Sequence, residues 1–135
     1  MLMRLALSAL LLIVGTAGFF TLKKIRLSRA ARVANTDPLL ESVRPGLPTI
    51  LYFTTPDCMT CKYAQGPALE LLKHELGETI NIVKVDAAED RDAADRWKIR
   101  TVPTTYVLDA AGVPVEVNQG AADAPRLRAQ VAAAS

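Results

Sequence analysis

The sequence predicts an α/β domain, a mixed sheet flanked by helices, behind a single N-terminal transmembrane helix. Three observations carry this. Leu5 to Leu22 contains no charge over 18 residues. A strand-type run, Thr49 to Phe53, passes through Thr54-Thr55-Pro56-Asp57 into a helical pattern headed by Cys58 and Cys61. Downstream, strand-like and helix-like segments alternate and end in a hairpin and an Ala-rich helix, the order of a layered α/β sheet.

At about 1.5 Å per residue the uncharged stretch spans roughly 27 Å, enough to cross a bilayer core. A cleaved signal peptide is the rival reading, with Arg4 before the apolar run and Gly15-Thr16-Ala17 as the cleavage site. The run continues past that point through Phe19, Phe20 and Leu22 and stops at Lys23-Lys24, which favours an uncleaved anchor over residues 1–22. The net charge of +2 is unevenly distributed. Residues 1–35 carry six bases and no acid, whereas residues 36–135 carry ten bases and fourteen acids. The basic character thus belongs to the anchor's flank and does not suggest nucleic acid as a partner. Five of those bases lie between positions 23 and 32. By the positive-inside bias they place the C-terminal domain on the cytoplasmic face; a periplasmic or other extracytoplasmic domain is the alternative. The same run suits contact with lipid headgroups.

Residues 23–36 predict a basic juxtamembrane helix or linker, with a domain over 37–135. Asp37-Pro38 signals a helix start, and Pro45-Gly46-Leu47-Pro48 a stop. Thr49–Thr54 is the first strand. Lys62 to Glu78 has helical spacing through Leu69, Leu72 and Leu76, with a kink expected at Pro67. The second strand covers Ile80–Val85, and a short charged helix ends near Trp97. Thr104–Leu108 is the third strand, and Asp109-Ala110-Ala111-Gly112 turns it into a fourth, Val113–Asn118, marked as an edge by Pro114. Asp123 caps a final helix to Ala134. His74 and the Glu89–Asp95 acids read as solvated, and Trp97 as core.

Chemistry concentrates at the only two cysteines. Spaced i and i+3 on a first helical turn, Cys58 and Cys61 face the same way with Cβ atoms about 5–6 Å apart, within reach of a reversible disulfide. Free N–H groups at a helix start favour a Cys58 thiolate, which makes it the nucleophile and Cys61 the resolving thiol. Other roles fit less well. So short a loop is a poor structural staple. A zinc site wants four ligands, and the chain has a single His. Haem attachment wants His where Lys62 stands.

Over residues 37–135 the chain resembles the thioredoxin superfamily. The resemblance rests on Cys58-Met59-Thr60-Cys61 after a strand, Pro67 in the helix that follows, Thr101-Val102-Pro103-Thr104, and Asp109-Ala110-Ala111-Gly112 with Gly120. It implies a thioredoxin-like fold, a cis Pro103 facing the cysteines, and a Val102 backbone that pairs with substrate. It also implies no cofactor, protein disulfides or thiols as substrates, and an upstream electron donor or acceptor. The sequence departs from the family at Tyr52, where the family's proton-relaying Asp stands, and at Asp57, next to the nucleophile. A phenol is a poor base at neutral pH, and an acid at 57 opposes thiolate formation. Lys62 matches the base that often follows the pair and offsets Asp57. The expected activity is membrane-anchored thiol–disulfide exchange, reducing if the domain is cytoplasmic. The alternatives are a binding or assembly module with little turnover, and transient metal carriage by the pair.

Overall fold

The computed structural model describes residues 1–135. Helix α1 runs unbroken from Leu2 to Ala34. Strand β1 (Thr49–Thr54) leads through the cysteine turn into a π-helical turn, Cys61–Gln65, and then α2 (Gly66–Leu76). Strand β2 (Asn81–Asp86), the short helix α3 (Arg91–Arg96), the hairpin β3 (Thr104–Leu108) and β4 (Pro114–Gln119), and α4 (Ala124–Ala134) complete the chain. The sheet order is β2-β1-β3-β4, with β1 and β2 parallel and the other pairs antiparallel.

Period-two alternation in β1 sends Ile50 and Tyr52 to one face and Leu51 and Phe53 to the other, so both faces of this central strand need cover. Leu69 and Leu72 of α2 and Leu127 and Val131 of α4 cover the first face. Trp97, at the end of α3, covers the second together with Ala30 and Ala34 of α1. This is the mixed sheet with helices on both faces that the sequence predicts. Strands β1 and β3 have the expected bounds; β2 and β4 each begin one residue late.

Residues 23–34 take the helical form of the expected helix or linker, and they also dock. They continue α1 and pack its last turns on the sheet. Ala30 and Ala34 are buried, the Lys23 ammonium lies 2.7 Å from a Glu116 carboxylate oxygen, and Arg26 donates to Gln119 at 2.8 Å. A weak apolar stripe suffices because its residues are small enough to bring the helix backbone close to the sheet. The apolar part of α1 has no such cover: none of its membrane-length window is buried against the domain.

Asp37 also does more than start a helix. Its carboxylate accepts from the Leu39 N–H (2.9 Å), the Arg96 guanidinium (2.9 Å) and Trp97 Nε1 (2.9 Å), and its side chain is wholly buried. Burial alone raises a carboxyl's pKa; here the bonds from Arg96, Leu39 and Trp97 outweigh it and hold Asp37 below its ordinary value. The predicted helix after Asp37 is a single 3-10 turn, Pro38–Leu40.

Candidate active site

Strand β1 delivers its C-terminal end to the cysteines. The Thr-Pro-Asp turn closes with the Cys58 N–H donating to the Thr55 carbonyl at 3.3 Å. Cys58 and Cys61 are joined as a disulfide, with Cα atoms 5.2 Å apart. Their exposures differ: Cys58 is half-buried, whereas Cys61 is 3% exposed within the core cluster under α2 and α4. An attacking partner can therefore reach Cys58 Sγ and not Cys61 Sγ. The Cys61 N–H donates to Cys58 Sγ at 3.1 Å, a contact that stabilises negative charge on that sulfur once the disulfide opens.

The helix after the pair is wider than expected. Pro67 has no N–H for the carbonyl four residues back, and the turn before it takes up the defect as a π turn, with the Gly66 N–H reaching the Cys61 carbonyl. Room at position 66 is limited, since a Cβ there would meet that carbonyl at 3.0 Å. The expected kink at Pro67 thus takes the form of a π turn ahead of the proline.

Tyr52 lies behind the pair, 4% exposed, its hydroxyl donating to the Cys61 carbonyl at 3.5 Å. The Val102–Pro103 peptide bond is cis. Pro103 is buried, and its carbonyl accepts from the Gly120 N–H at 2.8 Å, tying this loop to the end of β4. Val102 is partly buried and packs on the same core cluster as Cys58. Neither its N–H nor its carbonyl has a partner within the chain. Lys62 and Asp57 are exposed and form no ion pair within 4.0 Å; the Lys62 ammonium lies 5.5 Å from the centroid of the Tyr63 ring instead. The structure therefore groups Cys58, Cys61, Tyr52 and Val102 on one core cluster and leaves Lys62 and Asp57 as separate surface charges.

Two features escaped the sequence reading. Gln65 is fully buried; its amide donates to the Ala122 carbonyl (3.0 Å) and accepts from the Ala122 N–H (2.9 Å), locking the cysteine helix to the loop before α4. Its spacing, four residues after Cys61 and four before Leu69, was a legible sign that it faces inward. The second is a cavity of about 1070 Å³ that opens beside Cys58 and runs between α2 and β2. It had no sequence signal, because it is made by elements far apart in the chain.

The thioredoxin family profile matches residues 34–133. The chain is 37% identical to thioredoxin of Bacillus subtilis over 68 residues, half of this chain and 64% of that protein. It is 31% identical to the chloroplastic thioredoxin Y of rice, Oryza sativa, over 73% of this chain and 56% of that one. The chain thus spans less than two thirds of these curated relatives. Among solved structures, a malaria-parasite thioredoxin-2 superposes with a TM-score of 0.64 at 20% identity, over 70% of this chain and 90% of that one. Thioredoxin of Fasciola hepatica superposes at 0.59 and 24% identity, over 67% and 84%. At such identities these two likenesses speak for the fold alone.

Proposed function

The chain belongs to the thioredoxin family, and from that membership we propose that it is a membrane-anchored thiol–disulfide oxidoreductase acting on protein substrates. One observation carries the reading: a disulfide-bonded cysteine pair at a strand–helix junction, with Cys58 half-buried and Cys61 buried.

With the pair reduced, the Cys58 thiolate attacks one sulfur of a substrate disulfide. An S–S bond forms to Cys58, and the other substrate sulfur leaves as a thiolate that takes up a proton. Cys61 then loses its proton and attacks Cys58 Sγ, releasing the second substrate thiol. Two electrons pass to the substrate, and the Cys58–Cys61 disulfide remains. An upstream dithiol protein resets it by the same exchange in reverse. The unpaired backbone of Val102, which packs on the same core cluster as Cys58, is suited to align the substrate chain during attack. Tyr52 offers Cys61 no carboxylate as proton acceptor, so the second step relies on solvent entering the adjoining cavity.

Helix α1 is the proposed anchor. Its apolar residues are exposed along the whole N-terminal stretch, Leu5 at 65% and Phe20 at 66%, and lipid is the solvent that suits such a surface. The bases from Lys23 to Arg32 favour a cytoplasmic domain by the positive-inside bias, and on that reading the direction of flow is reductive.

The test is the reduction potential of Cys58–Cys61 in the full chain, equilibrated against glutathione or dithiothreitol in non-ionic detergent. A potential near about −270 mV supports a cytoplasmic reductase. One near about −120 mV makes the protein an oxidant and reverses the orientation. Absence of a reversible two-electron couple refutes the enzyme and favours a binding module.

A further inference from the structure

Strand β2 ends the sheet, and its outer edge is unoccupied. Asn81 donates to the Pro48 carbonyl and Ala87 to the Thr54 carbonyl, so alternate residues from 81 to 87 turn their backbone groups toward β1. Ile82, Lys84 and Asp86 therefore turn theirs outward. No hydrogen bond outside the ladder uses the backbone of Ile82 or Lys84. The start of the edge is closed by Arg44, which donates to the Ile80 carbonyl at 2.7 Å. The open part covers Ile82 and Lys84; it closes at Asp86, whose carbonyl accepts from the Asp90 N–H at 2.8 Å and which pairs with Thr54 at the strand end that leads to Cys58.

The cavity beside Cys58 follows this open edge, with Leu69 and Tyr52 on its inner wall. Its rim is basic. Lys62, Lys73 and Lys84 all line it and form no ion pair within 4.0 Å. With Arg44, the bases among the lining residues outnumber the two acids, Glu70 and Asp86, and the Asp86 carboxylate is turned to the N–H groups of Ala88 and Glu89. Helix α1 lies against β4 at the opposite edge, so it does not obstruct the groove.

We propose that β2 and this groove form a docking site for an extended, acidic segment of the disulfide-bearing substrate. The segment adds as a fifth strand outside β2, its backbone pairing with Ile82 and Lys84 and its carboxylates meeting Lys73, Lys84 and Lys62. A strand so placed runs toward the end of β1 and brings a cystine at its end to Cys58 Sγ. A lysine on an edge strand also serves simply to discourage pairing. The two roles differ in what they predict for an acidic peptide.

The inference rests on the proposed thiol exchange, and the experiment separates the two. The probes are synthetic peptides in which one disulfide is flanked by six residues, either Glu/Val/Thr or Lys/Val/Thr. A third probe is the acidic peptide with alternate flank amides N-methylated. Neutral hydroxyethyl disulfide serves as reference. Each reacts in a single turnover with the fully reduced full-length chain in non-ionic detergent at low salt. If hydroxyethyl disulfide does not oxidise the pair, the exchange reading itself fails. If it does, the acidic peptide is expected to react about tenfold faster than the basic one, the sum of three exposed charge pairs. That advantage should vanish at high salt and reverse in K73E/K84E. N-methylation should cost the acidic peptide most of its advantage. Equal rates for acidic and basic flanks overturn the docking site. A charge preference indifferent to N-methylation overturns strand addition.

Discussion

Replacing Asp37 by Ala removes one carboxylate and orphans three donors at once. Trp97 Nε1, buried with its ring, loses its only acceptor, a loss of about 1–3 kcal/mol. The Leu39 N–H loses its cap, about 1 kcal/mol. The Arg96 pair contributes at most about 1 kcal/mol, because its side chain is 37% exposed and can return to water. The expected total for Asp37→Ala is about 2–5 kcal/mol. Asp37→Asn keeps one acceptor but turns an amide toward Arg96, and should cost about 2–3 kcal/mol. Trp97 is the only tryptophan, so its emission in urea follows the domain and not the apolar helix. The effect carries a pH signature. The folded carboxyl titrates below its ordinary 3.8, so its charge-dependent stabilisation is complete above the unfolded value and is lost as pH falls through the folded one. The gap between the wild type and Asp37→Asn should therefore be widest above about pH 5 and shrink toward pH 3. A loss under about 1 kcal/mol in Asp37→Ala, or a gap to Asp37→Asn that does not change with pH, would refute the account of Asp37 as a buried, charged tie between the chain before β1 and α3.

Two further predictions concern the supports of the fold. Ala34→Leu should cost about 1–3 kcal/mol in the same urea assay by overpacking the cluster around Trp97, whereas Arg29→Ala, on the exposed side of α1, should be nearly silent; equal effects would mean that residues 23–34 do not dock. Gln65→Leu leaves both backbone groups of Ala122 buried without partners and should cost about 2–4 kcal/mol, with faster hydrogen exchange at the Ala122 amide; unchanged exchange there would show that the loop before α4 is held by other contacts.

The sequence by itself determined what is local or periodic. Runs of β-branched and aromatic residues set β1 and β3, Asp123 set the start of α4, and the two-cysteine turn with its strand and helix set both the chemistry and the family. These signals lie within a few residues of one another, because backbone hydrogen bonding, capping and side-chain periodicity act over that range. Only the tertiary structure decided the rest. Residues 23–34 read as a basic helix or linker with no docking face, because their buried face is merely alanine and its worth depends on a sheet more than fifteen residues away. Asp37 looked like a cap because Arg96 and Trp97 meet it only after β2 and α3 are in place. Pro67 gave notice of a break, and only the folded chain showed that it takes the form of a π turn, with the Gly66 N–H on the Cys61 carbonyl. The free β2 edge and the groove beside Cys58 could not be read at all, because an unfilled space belongs to no residue and exists only once the elements around it have stopped short of closing it.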